Sequence, residues 1–345
     1  MLVVRDRRLQ FKKNQDFAIH FEGDSVSLLK VGDMVQPSTA VFEGQASRLV
    51  QSMSISRELG VPPSQVKKYV VVSDGEIVDK GDVIAKRSVS MGMMERVVKA
   101  ISDGRLSYRR IDAGVVDIMS PFSESVVTSG VYGRVRLVMP ETNQKRQIIL
   151  STDAYVAKPV ICDGESVSGK LEIIKDGSSI YFPEDVSSEC RGKLIVAGRE
   201  LDSMLYEALI EVGALGVIVG GMNISDFINL GVKAIPIFVM EGWGIVPIDS
   251  ILLNFFLSSK GCYSYMDTVN ERLVIYNSSH NQEIEDGDEY LVDVEEGMTI
   301  QVWDQPYWGF SGIVENVLEE EDLIQVKFSS GRKVLVRPGS ARVIE

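Results

Sequence analysis

The sequence predicts a multidomain α+β protein with a β-rich N-terminal domain, a small parallel α/β domain and a small C-terminal β-barrel. Three observations predict this order. Glycine turns and short β-branched runs dominate to about residue 190, apolar strand patterns alternate with helical patterns from residue 192, and short strands return at the end of the chain. We therefore predict domains at 1–190, 191–276 and 291–345, with an acidic linker at 277–290.

The chain has 345 residues, of which 45% are apolar, and a net charge of −13 at pH 7. A single hydrophobic core seldom organises a chain of this length, so two or three domains are expected. The negative charge opposes nonspecific binding of the whole molecule to nucleic-acid phosphates. One basic face on a single domain remains compatible with that charge.

Cysteine and histidine are scarce in this sequence. Cys162, Cys190 and Cys262 are widely spaced, and with the two histidines they form no CxxC or HxxxH pattern. We therefore predict no metal site, no cofactor and free thiols in a reducing compartment. His20 and His280 join no catalytic set, so no catalytic residue is predicted. The N-terminus lacks a secretory signal and no apolar run reaches roughly 20 residues, so we expect a cytoplasmic protein without membrane contact.

Short strands separated by glycine turns are predicted through the first domain. One helix is predicted over 39–59, where few breakers occur before Gly60, although Thr39–Phe42 fits a strand equally well. The predicted strands are Phe17–Phe21, Lys68–Val72, Val83–Lys86, Val115–Met119, Gly133–Val138 and Gln147–Leu150.

A weak internal repeat flanks the segment predicted as a helix. GDMVQPSTAV (Gly32–Val41) aligns with GEIVDKGDVI (Gly75–Ile84), since each copy reads glycine, acid, apolar residue and valine, then turn residues and a strand. Two such copies predict a folded-over β module made of paired hairpins.

The rhythm of valine, glycine and acid in these hairpins resembles the barrel-sandwich hybrids of biotinyl and lipoyl carriers, over roughly residues 25–140. KAISDGRL (Lys99–Leu106) looks like the strand and turn that follow the modified lysine of a carrier. The resemblance places the acceptor position at Met91 or Met93. Because a thioether cannot form the amide that biotin or lipoate needs, we expect an unmodified structural module.

The segment from Gly192 to Gly261 alternates continuous apolar strands with helical patterns, which predicts βαβ units with a parallel sheet covered by helices. The turns after parallel strands meet at the carboxyl edge of the sheet, where ligands commonly bind. The predicted strands are Leu194–Ala197, Gly216–Val219 and Ile235–Met240, and the predicted helices are Asp202–Glu211, Ser225–Asn229 and Asp249–Leu257.

Three predicted turns at this edge form a candidate ligand site. Gly220 and Gly221 allow close approach and offer free N–H groups to an anion, and either Asn223 or Ser225 caps the next helix. Glu241 beside the indole of Trp243 offers a place for a cation or a sugar. The alternative is tight turns without a ligand, with the indole packed on its own domain. The predicted ligand-binding residues are Gly198, Arg199, Gly220, Gly221, Asn223, Glu241 and Trp243.

The C-terminal segment combines glycine turns, an acidic loop and short apolar strands, at Gly309, Gly312, Ile313–Val314, Glu319–Asp322, Ile324–Phe328 and Val334–Val336. Through these residues the segment resembles a KOW-type, SH3-like barrel of about 45 residues. Such barrels in transcription and translation factors dock on RNA, ribosomes or protein partners, so the resemblance implies a partner-binding module.

Basic and aromatic side chains define the predicted partner surface. Between residues 323 and 345, five basic residues stand against one acid, and nearby aromatic residues offer stacking surfaces. The alternative is a solvated hairpin beside an acidic loop that cancels its charge, with the aromatic residues in a small core. The predicted partner-binding residues are Tyr307, Trp308, Phe310, Lys327, Arg332, Lys333 and Arg337.

These features predict a non-catalytic binding or assembly protein whose KOW-like barrel contacts a protein or an RNA-containing partner. The order of the three modules resembles an uncharacterised bacterial family, and this resemblance implies no activity. The competing hypothesis is a small-ligand sensor or enzyme at the carboxyl edge of the central sheet. In that hypothesis Glu241 is the acid, and Gly220 with Gly221 holds an anion.

Overall fold

The computed structural model describes residues 1–5, 9–22, 24–47, 49–89, 94–142, 145–276 and 290–343. Strands dominate and form several sheets, which confirms the β-rich α+β class predicted from the sequence. The predicted linker at 277–290 lies almost entirely outside these residues. His280 and the predicted acceptor position at Met91 and Met93 lie outside them as well. No helix in the described ranges is long and apolar enough to cross a membrane.

The described residues of the first part of the chain form strands of 2 to 14 residues and one short α-helix, α1 (Ile55–Leu59). The predicted strand Val115–Met119 is confirmed with the same bounds, and four other predicted strands lie within longer ones. The strands are β1 (Leu2–Arg5), β2 (Leu9–Glu22), β3 (Asp24–Ser27), β4 (Met34–Val35), β5 (Ala40–Ala46), β6 (Leu49–Ser54), β7 (Ile77–Val78), β8 (Val83–Val89), β9 (Met94–Lys99), β10 (Gly104–Ser107), β11 (Val115–Met119), β12 (Ser123–Thr128), β13 (Gly133–Thr142) and β14 (Lys145–Ala157).

The helix predicted over 39–59 is wrong for most of its length. This segment forms β5, β6 and only a final helical turn, α1. Val41 and Phe42 are buried, and β5 pairs with both β3 and β12. β12 lies far along the chain, so tertiary pairing overrides the local helical pattern.

The strand predicted at Lys68–Val72 is also wrong. Pro63 begins a 3₁₀ helix that continues to Lys68, because proline is well suited to the first position of a helical turn. In the remainder of the segment, Val70 makes an isolated bridge to Ala85.

The internal repeat is confirmed by equivalent main-chain hydrogen bonds in the two copies. The N–H of Leu28 donates to the carbonyl of Val41 at 3.1 Å, and the N–H of Val71 donates to the carbonyl of Ile84 at 2.9 Å. In each copy a carboxylate accepts a bond from the N–H three residues earlier. The short strands also have equivalent antiparallel partners, since β4 pairs with β13 and β7 pairs with β10.

One copy of the repeat is inserted into the other. The hairpin of β5 and β12 ends with Ala46 opposite Ser123, and the hairpin of β8 and β9 ends with Val89 opposite Met94. Residues 47–122 therefore occupy the position that four residues occupy between β8 and β9.

We call residues 47–122 the inserted module, and residues 9–46 with 123–157 the outer module. The inserted module has its own core of buried side chains, all of which lie between Met53 and Ile118. A separate core fills the outer module and includes Tyr265 and Val274 of the following domain.

The central part confirms the predicted alternation of strands and helices. Its strands at 167–173, 193–196, 216–222 and 237–243 are parallel, and every predicted strand and helix overlaps an observed one. The elements are β15 (Ile161–Asp163), β16 (Val167–Ile173), β17 (Lys193–Val196), β18 (Glu200–Leu201), α2 (Ser203–Val212), β19 (Gly216–Met222), α3 (Ile224–Asn229), β20 (Ile237–Trp243), α4 (Ser250–Ser258), β21 (Tyr263–Asp267) and β22 (Arg272–Ile275).

Helices cover both faces of this parallel region. Apolar residues of α2 pack with one set of strand side chains, and apolar residues of α4 pack with the alternate set. The sheet extends through β21 and β22 to β14, β13 and β4, and β2 also pairs with β14. One twelve-stranded sheet thus joins the parallel strands to the outer module.

The last part of the chain forms a seven-stranded sheet, which we call the C-terminal sheet. The strands at 323–328 and 333–336 form an antiparallel hairpin that turns at Gly331. Strand β1 lies between the strands at 290–293 and 341–343, so residues 2–5 belong to this sheet. The strands are β23 (Tyr290–Asp293), β24 (Thr299–Val302), β25 (Ser311–Leu318), β26 (Leu323–Phe328), β27 (Lys333–Val336) and β28 (Ala341–Val343).

Candidate functional site

The carboxyl edge of the parallel strands lies where the sequence places three turns. Two of these turn predictions are wrong, because β19 contains Gly220 and Gly221 and β20 contains Glu241. After Gly198 and Arg199, the chain forms β18, which pairs with the end of β19. The strands therefore continue through residue types that favour turns.

Gly220 and Gly221 pack against the chain that crosses this edge. A Cβ on these residues would lie 2.0 and 2.1 Å from main-chain oxygens of the segment 244–248. Their own N–H groups donate to the carbonyls of Gly198 and Arg199 at 2.8 and 3.0 Å. Both N–H groups that we expected to hold an anion are therefore occupied by the protein backbone.

Glu241 is fully buried beneath the same crossing segment. Its Oε1 atom accepts a hydrogen bond from the N–H of Asp249 at 3.0 Å, and the Asp249 side chain caps α4. The main-chain carbonyl of Glu241 accepts bonds from the side chains of Gln301 and Ser311. Glu241 thus connects the start of α4 with the C-terminal sheet.

Trp243 lies at the contact between β20 and the C-terminal sheet. Its N–H donates to the carbonyl of Gly309 at 2.9 Å, and it forms a parallel bridge with Phe310. Its ring packs edge-on against Phe227 of α3, with 5.4 Å between centroids. Gly242 adopts a φ of +137°, and the carbonyl of Gly309 leaves no room for a Cβ there. The indole is therefore 9% exposed and packs within the protein.

Asn223 and Arg199 complete the predicted ligand set at this edge. Of the two predicted cap residues, Asn223 caps α3, because its Oδ1 atom accepts a bond from the N–H of Ser225 at 2.9 Å. The carbonyl of Arg199 accepts bonds from the N–H groups of Gly221 and Val246 at 3.0 Å. The structure brings the predicted ligand residues to one edge of the sheet, where their main-chain groups bond to one another and to the crossing segment.

The predicted basic residues of the C-terminal sheet have partners within it. Lys327 and Lys333 form ion pairs with Glu315 at 3.8 and 2.6 Å. The guanidinium of Arg332 lies over the ring of Tyr307, at 5.1 Å from its centroid. Glu315 therefore offsets part of the positive charge that the sequence placed on this surface.

The other predicted partner residues divide between core and surface. Phe310 packs against Phe328 with 5.7 Å between ring centroids, and Tyr307 packs against the same ring at 5.4 Å. Arg337 and Trp308 are exposed.

Two tryptophans form an exposed aromatic surface on the C-terminal sheet. The rings of Trp303 and Trp308 meet edge to face at 6.1 Å, and 37% and 39% of these residues are exposed. The guanidinium of Arg342 lies 4.7 Å from the Trp303 ring centroid. We call these three residues the aromatic face. Trp303 and Arg342 lie outside the predicted partner-binding set, although a tryptophan directly after a strand was a signal for the first.

The three cysteines are free thiols, as the sequence predicts. Burial raises the pKa of each thiol, and the carboxylates of Glu271, Asp163 and Asp267 help to raise the pKa of Cys162 to about 11. A thiol of high pKa is a weak nucleophile at neutral pH. Within the described ranges, no group of three or more Cys, His, Asp and Glu side chains is placed to hold a metal ion.

Comparison with known proteins finds no family model that matches this chain and no curated protein related to it in sequence.

Proposed function

We propose that this chain is a non-catalytic binding or assembly protein, and that its C-terminal sheet is a KOW-like barrel that contacts a protein partner through the aromatic face. The exposed pair of Trp303 and Trp308 with Arg342 carries this proposal. Tryptophan and arginine are the residue types most enriched among the few side chains that dominate the energy of protein interfaces.

Charge favours a protein over RNA as the partner. Residues 290–345 contain ten acidic and five basic residues, so this part of the chain is negative. Two of the five basic residues pair with Glu315. Because phosphate contacts supply most of the affinity for nucleic acids, an acidic surface is poorly suited to RNA.

Trp303 of the aromatic face is anchored to a buried side chain, and such anchoring lowers the entropy lost on binding. The Nε1 atom of Trp303 donates to Oε1 of Gln301 at 2.7 Å, and Gln301 is completely buried. The guanidinium of Arg342 lies over the indole ring of Trp303. The ring of Trp303 is therefore already in position before a partner binds.

The experiment compares the wild-type chain with the double variant Trp303→Ala and Trp308→Ala, each tagged and cross-linked in the cells of origin. The amount of a stoichiometric protein partner recovered with the double variant should fall by at least about tenfold, because a central interface tryptophan contributes on the order of 2 kcal/mol. Phe122→Ala is the matched control, since Phe122 is exposed and lies beneath the guanidinium of Arg105 in another module.

The partner should remain after RNase treatment. A partner that disappears with RNase, or one that the double variant retains in full, contradicts the proposal. Circular dichroism of the purified double variant checks that the fold is intact.

The second hypothesis from the sequence, a ligand sensor or enzyme at the carboxyl edge, stays a prediction. The packing of the segment 244–248 against Gly220 and Gly221 supports a structural role for that edge instead.

A further inference from the structure

A cavity of about 300 Å³ lies at the opposite, amino edge of the parallel strands. Residues directly before β16, β19 and β20 form one wall, and the inserted module forms the other. The volume lies at the lower end of the range for small-molecule sites. The lining consists of Ser47, Leu49, Ser107, Arg109, Arg110, Asp117, Met119, Glu165, Ser166, Val167, Ala214, Leu215, Ala234, Ile235 and Pro236.

Two charged pairs lie at this cavity and differ in how firmly they are held. Arg110 and Asp117 form a bidentate pair that is largely buried, and Arg110 also donates to Ser52 at 2.6 Å. The Nε atom of Arg110 donates to Asp117, and its Nη2 atom donates to both Asp117 and Ser52. The Nη1 atom takes part in none of these three hydrogen bonds. Arg109 pairs with Glu165 at 3.2 Å between Nη2 and Oε2, and these side chains are 43% and 73% exposed.

The exposed pair joins the two walls of the cavity. Arg109 belongs to the inserted module and Glu165 precedes β16, so the ion pair spans the cavity between them. An exposed ion pair contributes little free energy, so its carboxylate is readily exchanged for another. A ligand carboxylate that replaces Glu165 beside Arg109 would keep the charge of Arg109 balanced.

The remaining lining is mainly apolar. Leu49 and Met119 come from the inserted module, and Val167, Leu215 and Ile235 come from the amino edge of the sheet. Apolar walls with a few fixed polar groups are typical of small-ligand sites, since burial supplies affinity and the polar groups fix orientation.

We propose that this cavity binds a small carboxylate with an apolar chain, its carboxylate on Arg109 and Arg110 and its chain between the apolar walls. The ligand stands in place of the Glu165 carboxylate. A carboxylate on an apolar chain occurs both in a short fatty acid and in an apolar amino acid. The amino acid adds an ammonium group, which can donate a hydrogen bond to the carboxylate of Glu165. This inference is independent of the partner proposed for the aromatic face.

Such a ligand would bridge the inserted module and the central sheet. The same two parts are joined by ion pairs of Arg57 with Glu207 and Glu211, and by a bond from Arg191 to the carbonyl of Val50. Binding between the walls therefore adds a contact to an existing interface and stabilises the folded chain by mass action.

The test uses the full chain and three probes: 4-methylpentanoate, L-leucine and 4-methylpentanol. Binding is measured by calorimetry and by NMR saturation transfer. The expected result is binding of one or both carboxylates and at least about tenfold weaker binding of the alcohol, which carries no negative charge to pair with the guanidinium groups.

Arg109→Gln should weaken carboxylate binding by at least about tenfold, and Ser47→Trp should block it by filling the cavity. Arg136→Gln is the matched control, because it breaks an exposed ion pair with Asp16 in the outer module. Binding of L-leucine alone assigns the site to an amino acid, and binding of 4-methylpentanoate assigns it to a simple carboxylate. Absence of binding by both carboxylates at millimolar concentration, equal binding of the alcohol, or unchanged binding by Arg109→Gln overturns the proposal.

Discussion

The buried side chain of Gln301 donates a hydrogen bond to the main-chain carbonyl of Glu241 and so joins the C-terminal sheet to the end of β20. The amide oxygen of the same glutamine accepts the bond from Trp303 Nε1 at 2.7 Å. One residue therefore connects the central sheet with the aromatic face. A change at Gln301 should affect the attachment of the C-terminal sheet and the order of this surface together.

Replacement of Gln301 by alanine should lower the free energy of unfolding by about 1–3 kcal/mol, because it removes two hydrogen bonds from a buried position. Hydrogen exchange should become faster at the N–H groups of Trp243 and Gly309, which lie at the same contact. Gln325→Ala is the control, since Gln325 bonds to Asn316 within the C-terminal sheet. Equal exchange rates in the wild type and in Gln301→Ala would show that Gln301 does not hold the two sheets together.

Replacement of Gly220 by alanine should destabilise the protein by at least about 3 kcal/mol or prevent folding. The new Cβ would lie 2.0 Å from the carbonyl oxygen of Val246, so β19 and the crossing segment would have to separate. Gly339→Ala serves as the control, because no atom lies within 4 Å of its Cβ position. Thermal and urea unfolding measure both variants, and a Gly220→Ala protein as stable as Gly339→Ala would contradict the close packing.

Gly220 also shows how far the sequence predicts this fold. Continuous apolar runs correctly predict β17, β19 and β20, because buried parallel strands need apolar residues on both faces. Paired glycines are also typical of turns, and the approach of the segment 244–248 that requires them is a contact between separate parts of the chain. The local sequence pattern around Gly220 therefore does not predict this contact.

The candidate sites likewise combine features that local patterns predict with contacts between distant parts of the chain, which they do not predict. The sequence places the predicted ligand-binding residues, of which Gly198 is the first and Trp243 the last, at one edge of the parallel sheet, and the structure brings them together there. It does not predict that β1 completes the C-terminal sheet, or that Arg109 and Glu165 meet across a cavity, because these contacts join distant positions. The repeat was visible locally, but the insertion of one copy into the other depends on strand pairing.

Glu172 should make stability depend on pH. Burial raises its pKa, but hydrogen bonds from Lys193, Lys260 and the N–H of Ile173 outweigh burial, so the folded-state pKa lies below the ordinary value of 4.5. A lowered pKa means that this carboxylate stabilises the fold above about pH 4.5, and that its contribution is lost as the pH falls through the folded-state pKa.

Glu172→Gln should therefore lower the free energy of unfolding by about 1–3 kcal/mol at pH 7 and by less at pH 3. Urea unfolding at a series of pH values measures the difference, and Glu184→Gln, which changes an exposed glutamate, is the control. A difference that stays constant from pH 7 to pH 3 would rule out Glu172 as the source of the pH dependence.

The inserted module should fold by itself, and the remaining chain should fold without it. Ala46 and Ser123 are paired residues of one hairpin, so their Cα atoms are about 5 Å apart and a turn of a few residues can join them. All buried side chains of the inserted core lie between Met53 and Ile118, so excision leaves that core complete.

The experiment expresses residues 47–122 alone, and separately expresses the chain with these residues replaced by an Asn-Gly turn. Both should show cooperative thermal unfolding. The shortened chain should be less stable than the wild type, because excision exposes the surface of α2 that Leu49 and Arg57 contact. Size-exclusion chromatography and circular dichroism give the readout. A disordered fragment together with a disordered shortened chain would mean that the two modules fold only as one unit, and that the equivalent hydrogen bonds of the two copies do not mark independent structures.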